Sequence, residues 1–164
     1  MNGSPFVYYG EEIGMESQGQ EDENKRLPMR WSDEDTTGMT NGPEGCKNDI
    51  EYTIGAEDKQ IDDEESLLNY YKRAILLRNQ NPEIARGENS VEEGLSDEAV
   101  LVLKKDYDGS VIYVVINAKQ DDKTVDVSSL GELSMGGELI TGDTTATLDA
   151  GTLDMPGYSI VILK

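Results

Sequence analysis

The fold is decided by residues 3–14, which read GSPFVYYGEEIG. Within them, Phe6–Tyr9 form a continuous apolar and aromatic run between a proline and a glycine. A run without polar alternation is typical of a strand buried on both faces. Two carboxylates, Glu11 and Glu12, follow where this strand would end. Because chemistry in parallel α/β folds takes place at the carboxyl ends of strands, this stretch predicts a buried strand leading into a site.

Three motifs, in this order, resemble the α-amylase family of glycoside hydrolases. Gly3–Met15 is similar to the eighth strand of that family's (β/α)8 barrel, and Asp22–Trp31, which reads DENKRLPMRW, to the loop that follows. Ser66–Arg73 is similar to the eighth barrel helix. The resemblance implies that residues 1–86 are the last β/α unit of a catalytic barrel, and that residues 87–164 are the family's C-terminal β-domain.

One helix is predicted between these parts, from about Asp63 to Asn79, because leucines and a tyrosine recur there at spacings of three and four. Asp62 or Asp63 is expected to cap it, and Pro82 prevents much continuation. Residues 15–61 before it show no sustained periodicity. Loops of this length are usually functional or disordered, and the resemblance implies a wall of the active site.

Short strands separated by turn residues are predicted beyond Val91. Asp108-Gly109 is a strong signal for a two-residue hairpin. This pattern is typical of an antiparallel β-sandwich, and we expect Greek-key links. The predicted strands are Val100–Lys105, Val111–Asn117, Thr124–Val127, Glu138–Ile140, Thr144–Leu148, Thr152–Met155 and Ser159–Leu163.

Composition limits the classes of function. The chain has 164 residues, a formal net charge of −20 and a pI near 4.1. Such a surface repels phosphate backbones and anionic lipids, so we expect neither nucleic-acid nor membrane partners, whereas a neutral sugar is compatible. The chain has no histidine, which excludes Ser-His and Cys-His nucleophilic sites. Its one cysteine, Cys46, excludes an internal disulfide.

The catalytic carboxylates are not expected in this chain. Retaining sugar hydrolysis needs two carboxyl groups roughly 5 Å apart across the scissile bond. Adjacent strand residues point to opposite faces, so Glu11 and Glu12 do not both face one substrate. The resemblance implies that the reacting groups lie on barrel strands four, five and seven. We therefore expect Glu11 and Glu12 to pair with barrel arginines or backbone amides, and keep Glu11 as a candidate substrate-side residue.

Two loop residues are candidates for substrate binding. Arg26 matches the arginine of the family's Arg-x-Pro-Met-x-Trp motif, which implies a guanidinium near the innermost sugar. The alternative is an ion pair with Asp22 or Glu23 that orders the loop. Trp31, the only tryptophan, can stack on a sugar ring, but its motif position favours burial against the barrel.

Residues 33–44 have oxygen donors at positions 1, 3, 5, 9 and 12 and glycine at 6, as in an EF-hand loop. The flanking helices are missing, and Thr40 stands where an apolar residue belongs. We therefore expect a solvated acidic loop, and no metal or other cofactor in this chain. Calcium binding elsewhere in a parent enzyme is compatible with this expectation.

One strand, one loop and one helix make only an eighth of a barrel. We therefore expect the C-terminal part of a larger retaining enzyme that acts on α-glucans such as starch or maltooligosaccharides, inactive by itself. Many family members of this kind are secreted. The alternative is a non-catalytic β-sandwich module that binds carbohydrate or stabilises a neighbour.

A third expectation concerns assembly. Without neighbouring strands, Phe6–Tyr9 exposes an apolar edge. Residues 1 to about 60 are then expected to be disordered or paired with another copy of the chain.

Overall fold

The structure is a computed structural model, and it describes residues 3–17, 19–47 and 51–164. The chain divides into two compact units. The first is Pro5–Lys72, and the second is Arg73–Lys164 together with the first residues of the chain. This division falls inside the longest helix, and the domain boundary near residue 87 stays a prediction.

The N-terminal unit has little regular structure. Its elements are the 3₁₀ turns Glu11–Ile13 and Asp22–Lys25, the helix α1 (Glu57–Gln60) and the start of α2 (Leu67–Gln80). Phe6–Tyr9 do not form the predicted buried strand. Phe6 is 95% exposed, and the run has no strand pairing among the described residues. A barrel strand is buried and hydrogen-bonded by its neighbours, and the described residues provide none beside this run.

Helix α2 begins four residues later than predicted, at Leu67. Its cap is Ser66, whose Oγ accepts a hydrogen bond of 3.2 Å from the backbone N–H of Asn69. Asp63 instead accepts from the N–H of Glu65 in the preceding turn, at 3.0 Å. The predicted cap at Asp62 or Asp63 is therefore wrong, because a serine closer to the apolar run takes that position.

Pro82 ends one helix and begins another. Helix α2 stops at Gln80, and α3 (Pro82–Arg86) follows with the proline in its first turn. Proline lacks only a backbone N–H that a first turn leaves unpaired in any case, so it is tolerated there.

The described residues of the C-terminal unit form eight strands, which pair antiparallel with one another. One sheet has the order β1-β2-β3-β8-β5 and the other β4-β7-β6. The 3₁₀ turns Glu93–Leu95 and Ser128–Leu130 lie between strands. The strands are β1 (Glu88–Val91), β2 (Val100–Tyr107), β3 (Ser110–Asn117), β4 (Lys123–Asp126), β5 (Met135–Leu139), β6 (Thr147–Asp149), β7 (Thr152–Met155) and β8 (Ser159–Leu163).

The predicted hairpin at Asp108-Gly109 is present. Both residues have positive φ, 52° and 82°, as a type I′ turn requires. The strand β1 was missed, since strands were predicted only beyond Val91. Its side chains are all exposed, so its sequence carries no apolar alternation to detect.

Apolar residues of both sheets share one core. Val102, Val115 and Val161 of the larger sheet pack in the same cluster as Leu153 and Met155 of the smaller one. Two sheets facing each other across one core make a sandwich, which confirms the predicted fold class. Greek-key connectivity stays a prediction.

Over the part of the chain that is described, no helix combines the length and apolarity needed to cross a membrane.

Candidate functional site

A single buried amide organises the N-terminal unit. The side chain of Gln60, 3% exposed, donates through Nε2 to the carbonyls of Ile13 at 3.0 Å and Gly55 at 2.6 Å. Its Oε1 accepts from the N–H of Leu68 at 3.1 Å. The end of the GSPFVYYGEEIG stretch, the loop before α1 and the start of α2 are thereby held together. No periodicity or motif in the sequence pointed to Gln60.

The two carboxylates after Phe6–Tyr9 bind the backbone of their own turn. Glu11 Oε2 accepts from the N–H of Tyr8 at 3.3 Å, and Glu12 Oε2 from the N–H of Gly10 at 2.8 Å. Gly10 adopts φ 89°, and a Cβ there would lie 2.5 Å from the sulfur of Met15. Backbone amides were one of the two partners expected for these carboxylates. A substrate contact by Glu11 stays a prediction.

A pocket, referred to below as the hollow, lies beside the turn at residues 8–12. The ring centroids of Tyr8 and Tyr9 are 4.7 Å apart, and the Tyr9 hydroxyl donates to the carbonyl of Leu27 at 2.9 Å. Burial, together with the interaction of its hydroxyl with Tyr8, raises the pKa of Tyr9, so its hydroxyl stays protonated and donating at neutral pH. The lining residues are Tyr8, Tyr9, Gly10, Glu11, Met15, Glu16, Ser17, Asn24, Lys25 and Leu27.

Arg26 lies next to this hollow, between two of its lining residues. Its Nη2 forms an ion pair with Asp22 Oδ2 at 2.7 Å, and its Nε donates to the Asp22 carbonyl at 3.5 Å. The side chain is 54% exposed. Its positive charge also acts on Tyr9, lowering that pKa slightly against the effect of burial. The loop-ordering pair with Asp22 is therefore formed, and it leaves much of the guanidinium open to solvent.

Trp31 is 56% exposed in this chain, and its burial against the rest of a barrel stays a prediction. The backbone explains its exposure here. The carbonyls of Arg30 and Trp31 accept from the N–H groups of Glu57 and Asp58 at 3.1 and 3.0 Å, and the inward position belongs to Arg30, only 11% exposed.

Arg30, like Gln60, is a residue that the sequence analysis missed. Its guanidinium lies 3.6 Å from the ring centroid of Tyr52, donates to the carbonyl of Ile54 at 3.0 Å and forms an ion pair with Asp33. A planar guanidinium can stack and donate at once, which suits a half-buried position. The motif Arg-x-Pro-Met-x-Trp drew attention to its first arginine, whereas the second one orders the loop.

In the acidic loop 33–44, which resembles a calcium motif, three carboxylates bind groups of the protein itself. Asp33 Oδ2 accepts from the N–H of Ala56 at 2.9 Å, and this bond, ahead of the charge of Arg30, holds the pKa of Asp33 below its ordinary value. Glu34 pairs with Lys59 at 2.8 Å, and Asp35 accepts from the N–H of Thr37 at 2.9 Å. Among the residues described, no three metal-binding side chains converge as a metal site would require.

The family model for the α-amylase catalytic domain matches residues 1–87. The α-amylase SusG of Bacteroides thetaiotaomicron is 30% identical over a gapped alignment of 174 positions, which covers 99% of this chain and 24% of SusG.

Two solved structures are similar over nearly the whole chain. Eubacterium rectale Amy13B has 41% identity and a TM-score of 0.94, covering 100% of this chain and 32% of Amy13B. The α-amylase from H. orenii has 25% identity and a TM-score of 0.75, covering 99% of this chain and 32% of that enzyme. The chain thus spans a quarter to a third of these relatives, and the match over residues 1–87 shows that it belongs to the α-amylase family.

Proposed function

We propose that the whole protein is an α-amylase-type glycoside hydrolase acting on α-glucans, starch or maltooligosaccharides, with retention of anomeric configuration. The observation that carries the proposal is the match of residues 1–87 to a catalytic domain. Support comes from the likeness to Amy13B over the entire chain, at 41% identity, and from SusG, a relative whose name describes an α-amylase.

The reaction that we propose is a double displacement. A carboxylate attacks the anomeric carbon while a carboxylic acid protonates the leaving oxygen, and water then hydrolyses the glycosyl-enzyme intermediate. We assign neither role to Glu11 or Glu12. Each carboxylate already accepts a hydrogen bond from a backbone N–H in its own turn, and such an anchored group shapes the site rather than reacting in it.

In this proposal the N-terminal unit supplies part of the wall that positions the sugar. Arg26 donates hydrogen bonds to the sugar nearest the reaction, and its side chain, 54% exposed while paired with Asp22, is accessible for this role. Trp31 and Glu11 are the further candidates for substrate contact, and the exposure of the Trp31 ring makes one of its faces available for stacking. Asp22 then has the role of holding the Arg26 side chain in place.

The experiment compares two purified proteins, the whole protein and the 164-residue chain, on maltoheptaose. We expect the whole protein to release sugars whose newly formed reducing ends are initially the α-anomer, as read by proton NMR. We expect the 164-residue chain alone to release none. Initial formation of the β-anomer would contradict the retaining mechanism, and cleavage by the chain alone, with contaminants excluded, would contradict our placement of the reacting carboxylates.

Self-association stays a prediction. Phe6 at 95% exposure and Tyr8 at 52% provide the apolar edge on which that prediction depends. Sedimentation equilibrium of the chain and of a Phe6→Ser variant is the measurement that checks it.

A further inference from the structure

Tyr158 has an unusual backbone conformation. Its φ is +49°, in the left-handed region that bulky side chains rarely adopt, and where a non-glycine residue is strained. Its side chain is 57% exposed, so the strain is not compensated by burying the ring. Backbone strain that persists at a surface position calls for an explanation, and a binding function is one that can be tested.

The corner that carries Tyr158 is held rigidly by its neighbours. The N–H of Tyr158 donates to the carbonyl of Lys119 at 2.8 Å, and the N–H of Gly157 donates to Asp122 Oδ1 at 3.1 Å. A Cβ on Gly157 would lie 1.9 Å from the carbonyl oxygen of Gln120. The two loops therefore touch backbone to backbone, and only glycine fits at residue 157.

A buried asparagine completes this corner. Asn117, 2% exposed, donates through Nδ2 to the carbonyls of Asp121 and Pro156, both at 2.9 Å. Its Oδ1 accepts from the N–H of Lys119 at 3.0 Å. One amide thus fastens the loop 118–122 to the loop 156–158. The ring of Tyr158 is presented to solvent from a platform that has little freedom to move.

The other apolar side chains exposed on this unit differ in kind. None of them has an aromatic ring among the residues described, the set being Ile75, Leu76, Val91, Leu101 and Met135. Tyr113 packs against the core of the sandwich. A tyrosine ring offers a flat apolar face and a hydroxyl, the combination that suits a sugar ring, which has a C–H face and a rim of hydroxyl groups. The adjoining loop carries three exposed polar residues, Lys119, Gln120 and Asp122. Their side chains can form hydrogen bonds with the hydroxyl groups of a sugar.

We propose that Tyr158 is the stacking platform of a carbohydrate-binding site on the β-sandwich, and that its ligand is a glucosyl unit of an α-glucan chain. The choice of ligand rests on the proposed function. The loop 118–122 supplies the polar side of this site. A site of this kind holds a long polysaccharide on the protein while other parts of the polymer are processed.

The test uses the 164-residue chain, ¹⁵N-labelled and titrated with maltoheptaose by NMR. We expect shifts in the amides of residues 119–122 and 157–159. Tyr158→Phe keeps the ring but loses the hydroxyl, and should weaken binding by no more than about threefold. Tyr158→Gly removes the ring and should weaken binding about fivefold or more. Val91→Ala, an exposed apolar change elsewhere on the same unit, should leave binding unchanged.

The stability of Tyr158→Gly separates a binding role from a structural one. Glycine adopts φ +49° without strain, so we expect an unfolding temperature equal to or above that of the parent chain, together with weaker binding. Unchanged maltoheptaose affinity in Tyr158→Gly would overturn the proposal. So would a clear loss of stability in that variant, because the ring would then be a packing residue.

Two further outcomes would overturn this site without touching the proposed function. One is a set of shifts confined to residues 5–72, and the other is no shift up to about 10 mM maltoheptaose while the whole protein still cleaves that sugar. Failure of the proposed function would instead be seen as the absence of α-glucan cleavage by the whole protein.

Discussion

Gln60 Nε2 donates a hydrogen bond of 3.0 Å to the carbonyl oxygen of Ile13, a residue 47 positions earlier in the chain. Both residues are buried, at 3% and 0% exposure. The same amide binds Gly55 and Leu68. A loop with few regular elements is therefore fastened at three points by one side chain, and its order depends on that side chain.

Replacing Gln60 should loosen the N-terminal unit. Gln60→Ala leaves two carbonyls and one N–H without their partner, and we expect a loss of about 2–4 kcal/mol in the free energy of unfolding. Urea unfolding followed by the fluorescence of Trp31, which lies in the same unit, measures it.

The matched control is Gln80→Ala, a glutamine change at an exposed position at the end of α2. We expect it to alter stability by no more than about 0.5 kcal/mol. Equal effects of the two substitutions would show that the Gln60 hydrogen bonds contribute little.

Acid should weaken the same unit through Asp33. Its pKa in the folded state lies below the ordinary value of 3.8, first because the N–H of Ala56 donates to it and also because Arg30 is close. A carboxyl with a lowered folded pKa contributes stability that is fully present above its unfolded pKa and is lost as the pH falls through its folded pKa. We therefore expect this contribution to begin to fall near pH 3.8, the unfolded value, and to be lost as the pH drops through the lower folded pKa.

The measurement is urea unfolding at several pH values between about 6 and 3, again by Trp31 fluorescence. Asp33→Asn should be less stable than the parent chain near neutral pH, and its stability should fall less steeply in acid. Parallel curves for the two proteins would argue against a role for Asp33. Glu34→Gln is a control in the same loop, since its carboxylate pairs with Lys59 at the surface and exposed pairs contribute little to stability.

Gly157 should be far less replaceable than Gly94. A Cβ at Gly157 would meet the carbonyl of Gln120 at 1.9 Å, whereas one at Gly94 would have nothing within 4 Å. We expect Gly157→Ala to destabilise the β-sandwich by about 3 kcal/mol. Gly94→Ala should be neutral or stabilise by up to about 1 kcal/mol. Thermal unfolding by circular dichroism compares them, and a tolerated Gly157→Ala would contradict the close backbone approach.

Arg26 can be tested in the whole protein. If it donates to the sugar, Arg26→Lys should lower kcat/KM on maltoheptaose about 10- to 100-fold, because lysine keeps the charge but loses the planar fork. Asp22→Asn, which removes only the loop ion pair, should lower it less than about fivefold, as expected for an exposed pair. Equal losses in the two variants would mean that Arg26 acts only by ordering the loop.

Local sequence patterns were sufficient to predict most strands of the β-sandwich. Thr152–Met155 and Ser159–Leu163 have the predicted bounds, because alternation and flanking turn residues reflect which side chains face the core. β1 was missed because both of its faces are exposed. Helix α2 starts at Leu67 rather than near Asp63. The reason is that Ser66, and not one of the aspartates before it, accepts the hydrogen bond that caps the helix N-terminus.

The candidate site was harder to predict. Arg30 and Trp31 are neighbours in a loop without periodicity, and backbone bonds to α1 decide which of them turns inward. Arg26 and its pair with Asp22 were visible in the sequence, since the two residues are only four positions apart.

The sequence by itself determined the family, through motifs in residues 3–82, and the antiparallel sandwich, through short apolar strands and the Asp108-Gly109 hairpin. The tertiary structure alone decided that Gln60 joins three distant segments, that Arg30 rather than Trp31 packs inward, and that Tyr158 is displayed on a strained backbone. The physical reason is that these outcomes depend on hydrogen bonds and close contacts between segments far apart in the chain, which local spacing does not encode.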